Sequence, residues 1–319
     1  SGSGTVTSAN VGTGKAVTSV SLALVNGTGL ASNYLINSRT AEVTGRPVTI
    51  SGSRSYDSTT TADSSILTIT SGVSGESLSL TGAGILGAAS AGTQTITNNN
   101  TLAIADGTGS ASNYTLNGAS INVTVIPKTL NVTLAREYDG TTTVAGALLT
   151  PTFDSLQGGE TLAISGTGSV ANANVGSSKA VTLGTIALAA GSGNPSNYSL
   201  NSVLLDVTQR VINLDGIRAY DATTNVLSSD INTFGNIVSG ETLTISGTGS
   251  VATNSVEMNK AISLGTLSLG NGSGAAGNYT LAGGTHTFDI SPVAVNITGS
   301  RQYDGCLLYT SPSPRDGRI

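Results

Sequence analysis

The chain has 319 residues, of which 38% are hydrophobic and only 10% charged, with 42 Gly, no Trp and a net charge of −5. This is not the charged, apolar-poor composition of a disordered chain, and no Lys/Arg cluster is present that could track a phosphate backbone. No apolar run approaches the roughly 20 residues of a membrane span, so neither a nucleic-acid partner nor a membrane span is expected.

The chain is built on a repeat. Tyr-Asp recurs at Tyr56-Asp57, Tyr138-Asp139, Tyr220-Asp221 and Tyr303-Asp304, Asn-Tyr at Tyr34, Tyr114, Tyr198 and Tyr279, and Gly-Glu at Glu76, Glu160 and Glu241. A fixed period marks an array of copies. A period this long, about 82 residues, is the size of a small domain rather than a solenoid turn. A continuous β-helix would repeat at about 20–30 residues, and no such shorter period is present.

In chain order, residues 1–47 read as the C-terminal part of a repeat, because Ser1-Gly-Ser-Gly4 aligns with Ser165-Gly-Thr-Gly168. Whole repeats follow at 48–127, 128–210 and 211–292, and 293–305 begins a further one. Each junction lies at or near Pro47, Pro127, Gln209-Arg210 or Pro292, with strand-like sequence on both sides. Linkers of two or three residues are too short to behave as flexible coil, which predicts a semi-rigid, elongated array. Residues 306–319, with the single Cys306, break the pattern. This segment resembles a translated sequencing adaptor and is set aside from fold reasoning.

Within a repeat, apolar and polar residues alternate over Leu130–Leu134, Leu162–Ile164, Val181–Leu183, Ile186–Leu188 and Val203–Val207. That alternation predicts half-buried strands. Gly, Asn and Ser clusters between them supply turns. The best helical stretch, Val144–Leu149, is short and ends before Pro151. About six or seven strands per repeat predict an all-β chain of tandem immunoglobulin-like antiparallel sandwiches.

The recurring residues have structural readings. The aspartate of Tyr-Asp can bond backbone two residues on. The next residue is Gly140 or Gly305 but also Ser58 or Ala222, so a left-handed conformation is not expected to be obligatory there. The tyrosine is expected to plug the core and offer its hydroxyl to backbone. Gly-Glu reads as a turn with a solvated charge at a sheet edge. Lys15, Lys179 and Lys260 read as surface lysines, favoured over a covalent cross-link to Asn or Asp. The single His286 reads as a solvent-facing strand residue. It does not recur with the repeats, so no catalytic residue, no metal ligand and no cofactor is assigned, and no enzyme activity is expected.

Together, Tyr-Asp-Gly-Thr-Thr, Gly-Glu, Val-Gly-x-x-Lys-x-Val, Asn-Tyr-x-Leu and a closing Val-x-x-x-Pro, in that order, resemble the YDG-type repeat domain. The resemblance covers nearly all of 1–305, with departures at Ser58, Ala222 and the lysine-free Ala91–Ile96. It implies a bacterial cell-surface or secreted, outer-membrane-associated adhesin of the filamentous-haemagglutinin-like kind, in which such repeats form a stalk. The partners it implies are neighbouring repeats in cis and host glycans or matrix proteins. The alternative is a carbohydrate-binding array that stacks sugars on Tyr34, Tyr114, Tyr198 and Tyr279, which requires those rings to be exposed.

Overall fold

The computed structural model describes residues 1–300, 302, 303 and 305. Asp304 and residues 306–319, with Cys306, lie outside the described residues. All regular structure among the described residues is strand, apart from three-residue 3₁₀ turns. The stretch Val144–Leu149 is divided between the end of strand Thr143–Ala145 and the turn Gly146–Leu148. The chain divides into two compact units, Ser1–Thr208 and Gln209–Ile319.

In the first unit, the repeat that begins near Pro47 opens with strand Arg46–Ser55 and closes with strand Tyr114–Ile126. The two lie side by side and parallel. The closing strand also pairs antiparallel with Gly92–Asn98, and the opening strand with Leu67–Thr70. Thr61–Asp63 and Ala83–Leu86 complete a six-stranded sheet, and Leu78–Thr81 and Ala103–Asp106 form a separate two-stranded ribbon. The next repeat has the same plan. Lys128–Glu137 pairs in parallel with Tyr198–Thr208, from Lys128 opposite Tyr198 to Glu137 opposite Thr208. In the second unit, Asn213–Ala219 pairs in parallel with Thr287–Ser291, and Arg210–Val211 with Tyr279–Thr280.

The expected wholly antiparallel pairing is therefore corrected where the first and last strands of each of the three repeats after residue 47 meet. Alternation fixes which face of a strand is buried but carries no information about its neighbour's direction. The expected strands do form, and their alternation is read out as burial. Leu130, Val132 and Leu134 are fully buried while Asn131 is exposed, and Val203, Leu205 and Val207 repeat this on the closing strand. A one-residue slip of either strand would turn these residues to solvent, so the apolar pattern pins the register.

The core does not stop at the junction. One cluster joins Tyr56, Ala62, Leu86, Val123 and Val125 to Leu130, Leu162 and Tyr198 of the following repeat. A second, formed by Val48, Ile50, Tyr114 and Ile121, lies within the earlier repeat, with Leu78, Leu80 and Ile104 packed against it. Small domains bury a modest share of their surface. A shared cluster enlarges the core of both neighbours.

Candidate functional site: a tyrosine–glutamate seam

The recurring residues meet where one repeat of the first unit abuts the next. Tyr56 follows the opening strand, and its N–H donates to the carbonyl of Ile126 at 2.8 Å. Its ring is buried and meets the Tyr198 ring edge to face, with centroids 5.3 Å apart and planes at 75°. Its hydroxyl donates to Oε1 of Glu160 at 2.6 Å, while the Tyr198 hydroxyl donates to Oε2 of the same carboxylate at 2.6 Å. One carboxylate therefore ties two tyrosines of consecutive repeats. The Tyr198 hydroxyl also accepts from the Gln157 N–H at 3.1 Å, which fixes its orientation.

Two expectations are corrected here. The Tyr56 hydroxyl goes to a side chain of the next repeat rather than to backbone, and Glu160 is an acceptor for two phenols rather than a solvated edge charge. Each phenol is desolvated, so a charged acceptor stabilises it more than a neutral one would. The same pairing recurs inside the other repeats. Tyr114 donates to Glu76, and Tyr279 donates to Glu241 at 2.6 Å.

The electrostatics follow from this geometry. Burial, reinforced by the bond to Glu160, pushes the Tyr198 phenol up to about 12. Burial and then Glu160 raise Tyr56 as well. Tyr114 is raised chiefly by its bond to Glu76 and then by burial. A proton on each phenol is what the carboxylate needs.

The asparagine of Asn-Tyr is a second part of the seam. Asn197 accepts from the Ala91 N–H of the preceding repeat at 2.9 Å. One period earlier, Asn113 accepts from the Val11 N–H at 2.9 Å and donates to Asn10 at 3.0 Å. Glycine makes room for the glutamate. A Cβ on Gly109, Gly193 or Gly274 would come within 2.3, 2.8 and 2.3 Å of Oε2 of Glu76, Glu160 and Glu241 respectively. Sequence reasoning missed these glycines, although their recurrence was visible.

The tyrosine is presented by a braced turn. The Thr59, Thr141 and Thr223 N–H groups each donate to the aspartate two residues before, at 2.9 Å, in Asp57, Asp139 and Asp221. The residue between them has positive φ in every case: Ser58 at 64°, Gly140 at 76°, Ala222 at 66° and Gly305 at 74°. The left-handed conformation is thus imposed even where serine or alanine stands, contrary to expectation. The hydrogen-bonded turn holds it there at a cost.

An arginine two residues before Tyr56, Tyr138 and Tyr220, also missed, closes the turn. Arg54 pairs with Asp57, Arg136 with Asp139 at 3.0 Å and Arg218 with Asp221 at 3.1 Å, the arginine side chains only 8–10% exposed. Burial alone would raise the Asp57 carboxyl, but the Thr59 N–H and hydroxyl and the Arg54 charge outweigh it and hold the group below its ordinary value. Asp221 is lowered chiefly by the Thr223 N–H.

The remaining candidates are placed as follows. Tyr114, Tyr198 and Tyr279 are buried, whereas Tyr34 is 68% exposed. Tyr138 is buried, Tyr220 is partly exposed, and Tyr303 is exposed. Lys179 does not snorkel freely. Its ammonium bonds Asn172 at 2.8 Å and the Asn174 carbonyl, and Lys260 is buried against Thr253, Ser255 and Glu257. In the lysine-free repeat, Gln94 stands opposite Val123 as Lys179 stands opposite Leu205, and reaches back to the Ser90 carbonyl at 2.9 Å. An amide can do this work because the partner is a carbonyl. His286 is buried rather than solvent-facing. Its Nδ1 accepts from the Leu214 N–H at 3.1 Å, so Nε2 carries the proton that it shares with the Leu281 carbonyl at 2.9 Å. Both ring nitrogens are engaged by backbone. Among the described residues no cluster of His, Cys, Asp and Glu could hold a metal ion, and no helix is long and apolar enough to cross a membrane.

The YDG domain family model matches residues 126–204 and again residues 208–287. No curated protein and no solved structure matches the chain. The recurring tyrosines, aspartates and glutamates of 126–287 thus belong to two YDG domains in tandem.

Proposed function

We propose that these repeats are immunoglobulin-like spacer domains of a bacterial cell-surface or secreted adhesin, serving to hold a binding head away from its anchor. The observation that carries the reading is the seam. At the junction near Pro127, Tyr56, Glu160 and Asn197, all at recurring positions, are used to join one repeat to the next, which supports connection as the work of these residues. The single residue Pro127 between strands Tyr114–Ile126 and Lys128–Glu137 supports restricted bending at that junction. Neighbouring repeats in cis are the first partners, and reach scales with copy number.

Two measurements test the proposal. Removing residues 128–209 in frame is expected to shorten the particle by one repeat in small-angle scattering, with the remaining repeats still melting cooperatively. The full chain is expected to show no saturable binding on a glycan array or to matrix proteins. Saturable glycan binding abolished by Tyr34→Ala, with the melting profile unchanged, would replace the spacer reading with a carbohydrate-binding one.

A further inference from the structure

In the repeat that begins at Lys128, the first and last strands stay paired across a one-residue shift, with Leu130 opposite Leu200 and Asn131 opposite Ser202. In the repeat after it, the same ladder is broken. Arg210 and Val211 lie opposite Tyr279 and Thr280, and pairing resumes only at Asp215 opposite Thr287. One rung before that point, Leu214 and His286 stand where Val132 faces Val203, and where Ile50 faces Ile121. Those four aliphatic residues are buried core. His286 is buried as well, so a titratable ring occupies a place that is apolar in both earlier repeats.

The ring mends the break. The His286 carbonyl accepts from the Ile262 N–H at 3.0 Å, which holds the backbone to the neighbouring strand. The side chain turns the other way. Its Nδ1 accepts from the Leu214 N–H at 3.1 Å, and its Nε2 donates to the Leu281 carbonyl at 2.9 Å. Gly284 leaves room for the ring, since a Cβ there would come within 2.9 Å of Cε1. We propose that His286 is an acid-sensitive latch on the ladder that joins the first and last strands of this repeat. The neutral ring closes the ladder. A proton on Nδ1 puts a second donor against the Leu214 N–H, and the latch opens. The charged groups on the surrounding elements are engaged elsewhere. Asp215 accepts from the Thr287 hydroxyl at 3.0 Å and Asp289 from the Asn259 N–H at 2.7 Å. Glu257 pairs with Lys260 at 2.7 Å, and Arg218 with Asp221 at 3.1 Å and Asp230 at 4.0 Å. Both ring nitrogens are taken by backbone, so among the described residues no carboxylate is bonded to the ring to hold an added proton. His286 is the single histidine of the chain, and no other side chain of ordinary pKa titrates between about pH 5 and 7. The latch belongs to the repeat itself and does not depend on what the chain holds up.

The test is amide hydrogen exchange of the full chain between about pH 7.5 and 5, corrected for the intrinsic rate of exchange. A histidine freed from the latch takes its proton below about pH 6.5, and the closed latch does not, so the closed state is favoured above that pH and loses ground as pH falls. The opening constant at the Leu214 amide is expected to rise about thirtyfold across the range. The Val132 amide, at the same place in the preceding repeat, is expected to stay level. His286→Asn offers an amide oxygen, which accepts the Leu214 N–H but does not titrate, and is expected to flatten the response at Leu214. A wild-type Leu214 amide indifferent to pH would overturn the proposal. So would an equal rise at Val132, or the same rise at Leu214 in His286→Asn. If His286→Asn does not fold, the comparison of Leu214 with Val132 in the wild-type chain decides the matter alone.

Discussion

Replacing Tyr56 by Phe removes one oxygen from the seam and leaves the ring in place, so the change isolates the bond to Glu160. Hydrogen bonds to charged groups contribute about 1.5–3 kcal/mol net. Glu160 is only partly buried, which favours the low end, about 1.5 kcal/mol. In a unit of this size that corresponds to a fall of about 3–6 °C in Tm. The informative measurement is a double-mutant cycle with Glu160→Ala, followed by urea unfolding of the full chain. Tyrosine fluorescence reports it cleanly because the chain has no Trp. Once the carboxylate is gone, Tyr56→Phe is expected to cost less than about 0.5 kcal/mol, leaving a coupling of about 1 kcal/mol between residues of different repeats. Hydrogen exchange adds a spatial readout. Tyr56→Phe should speed exchange in strand Leu162–Ser165, which belongs to the repeat that was not mutated. Equal costs of Tyr56→Phe with and without Glu160, and an unchanged Leu162–Ser165, would refute the seam as an energetic link.

Other expectations follow from single sites. Because the folded state raises the Tyr198 pKa, its contribution to stability is complete below about pH 10 and is lost as pH rises toward about 12. Spectrophotometric phenol titration alongside melting from pH 9 upward checks this, and a stability flat across that window would contradict it. Ala222→Gly should stabilise the second unit by about 0.5–1 kcal/mol. It relieves a left-handed penalty of about 1–2 kcal/mol and gives back about 0.4–1 kcal/mol in chain entropy, and a lowered Tm would show the turn to be unstrained. His286→Leu should destabilise the same unit by about 1–3 kcal/mol, since it strands the buried Leu214 N–H, and chemical denaturation measures it. In acid, the lowered Asp57 and Asp221 carboxyls lend stability above about pH 4 that is lost as pH falls through their folded values, and Asp57→Asn should flatten that decline.

Much of this was legible in the sequence, and the exceptions share a cause. Period, strand content and inward-facing apolar residues follow from local alternation, which Leu130–Leu134 displays plainly. The three recurring dipeptides were visible as marks but not as partners. Glu160 lies 38 residues from Tyr198 and 104 from Tyr56, and no local pattern ties residues so far apart. Ser58 and Ala222 conceal the left-handed turn because the residue at that position varies while its conformation does not. The repeated arginine before each tyrosine was available as a signal and went unread. His286 was misplaced because a lone histidine in a Gly-Thr stretch carries no sign of which backbone groups will close on it.

The parallel pairing of the first and last strands of each repeat has a mechanical consequence. The chain enters at the start of one strand and leaves at the end of its neighbour, as at Lys128 and Thr208. Tension along the polypeptide therefore slides these two strands past each other, loading the rungs from Lys128–Tyr198 to Glu137–Thr208 together in shear. A hairpin pulled from its open end would instead lose its bonds one at a time. Each repeat is thus wired so that force on the chain meets its longest ladder all at once.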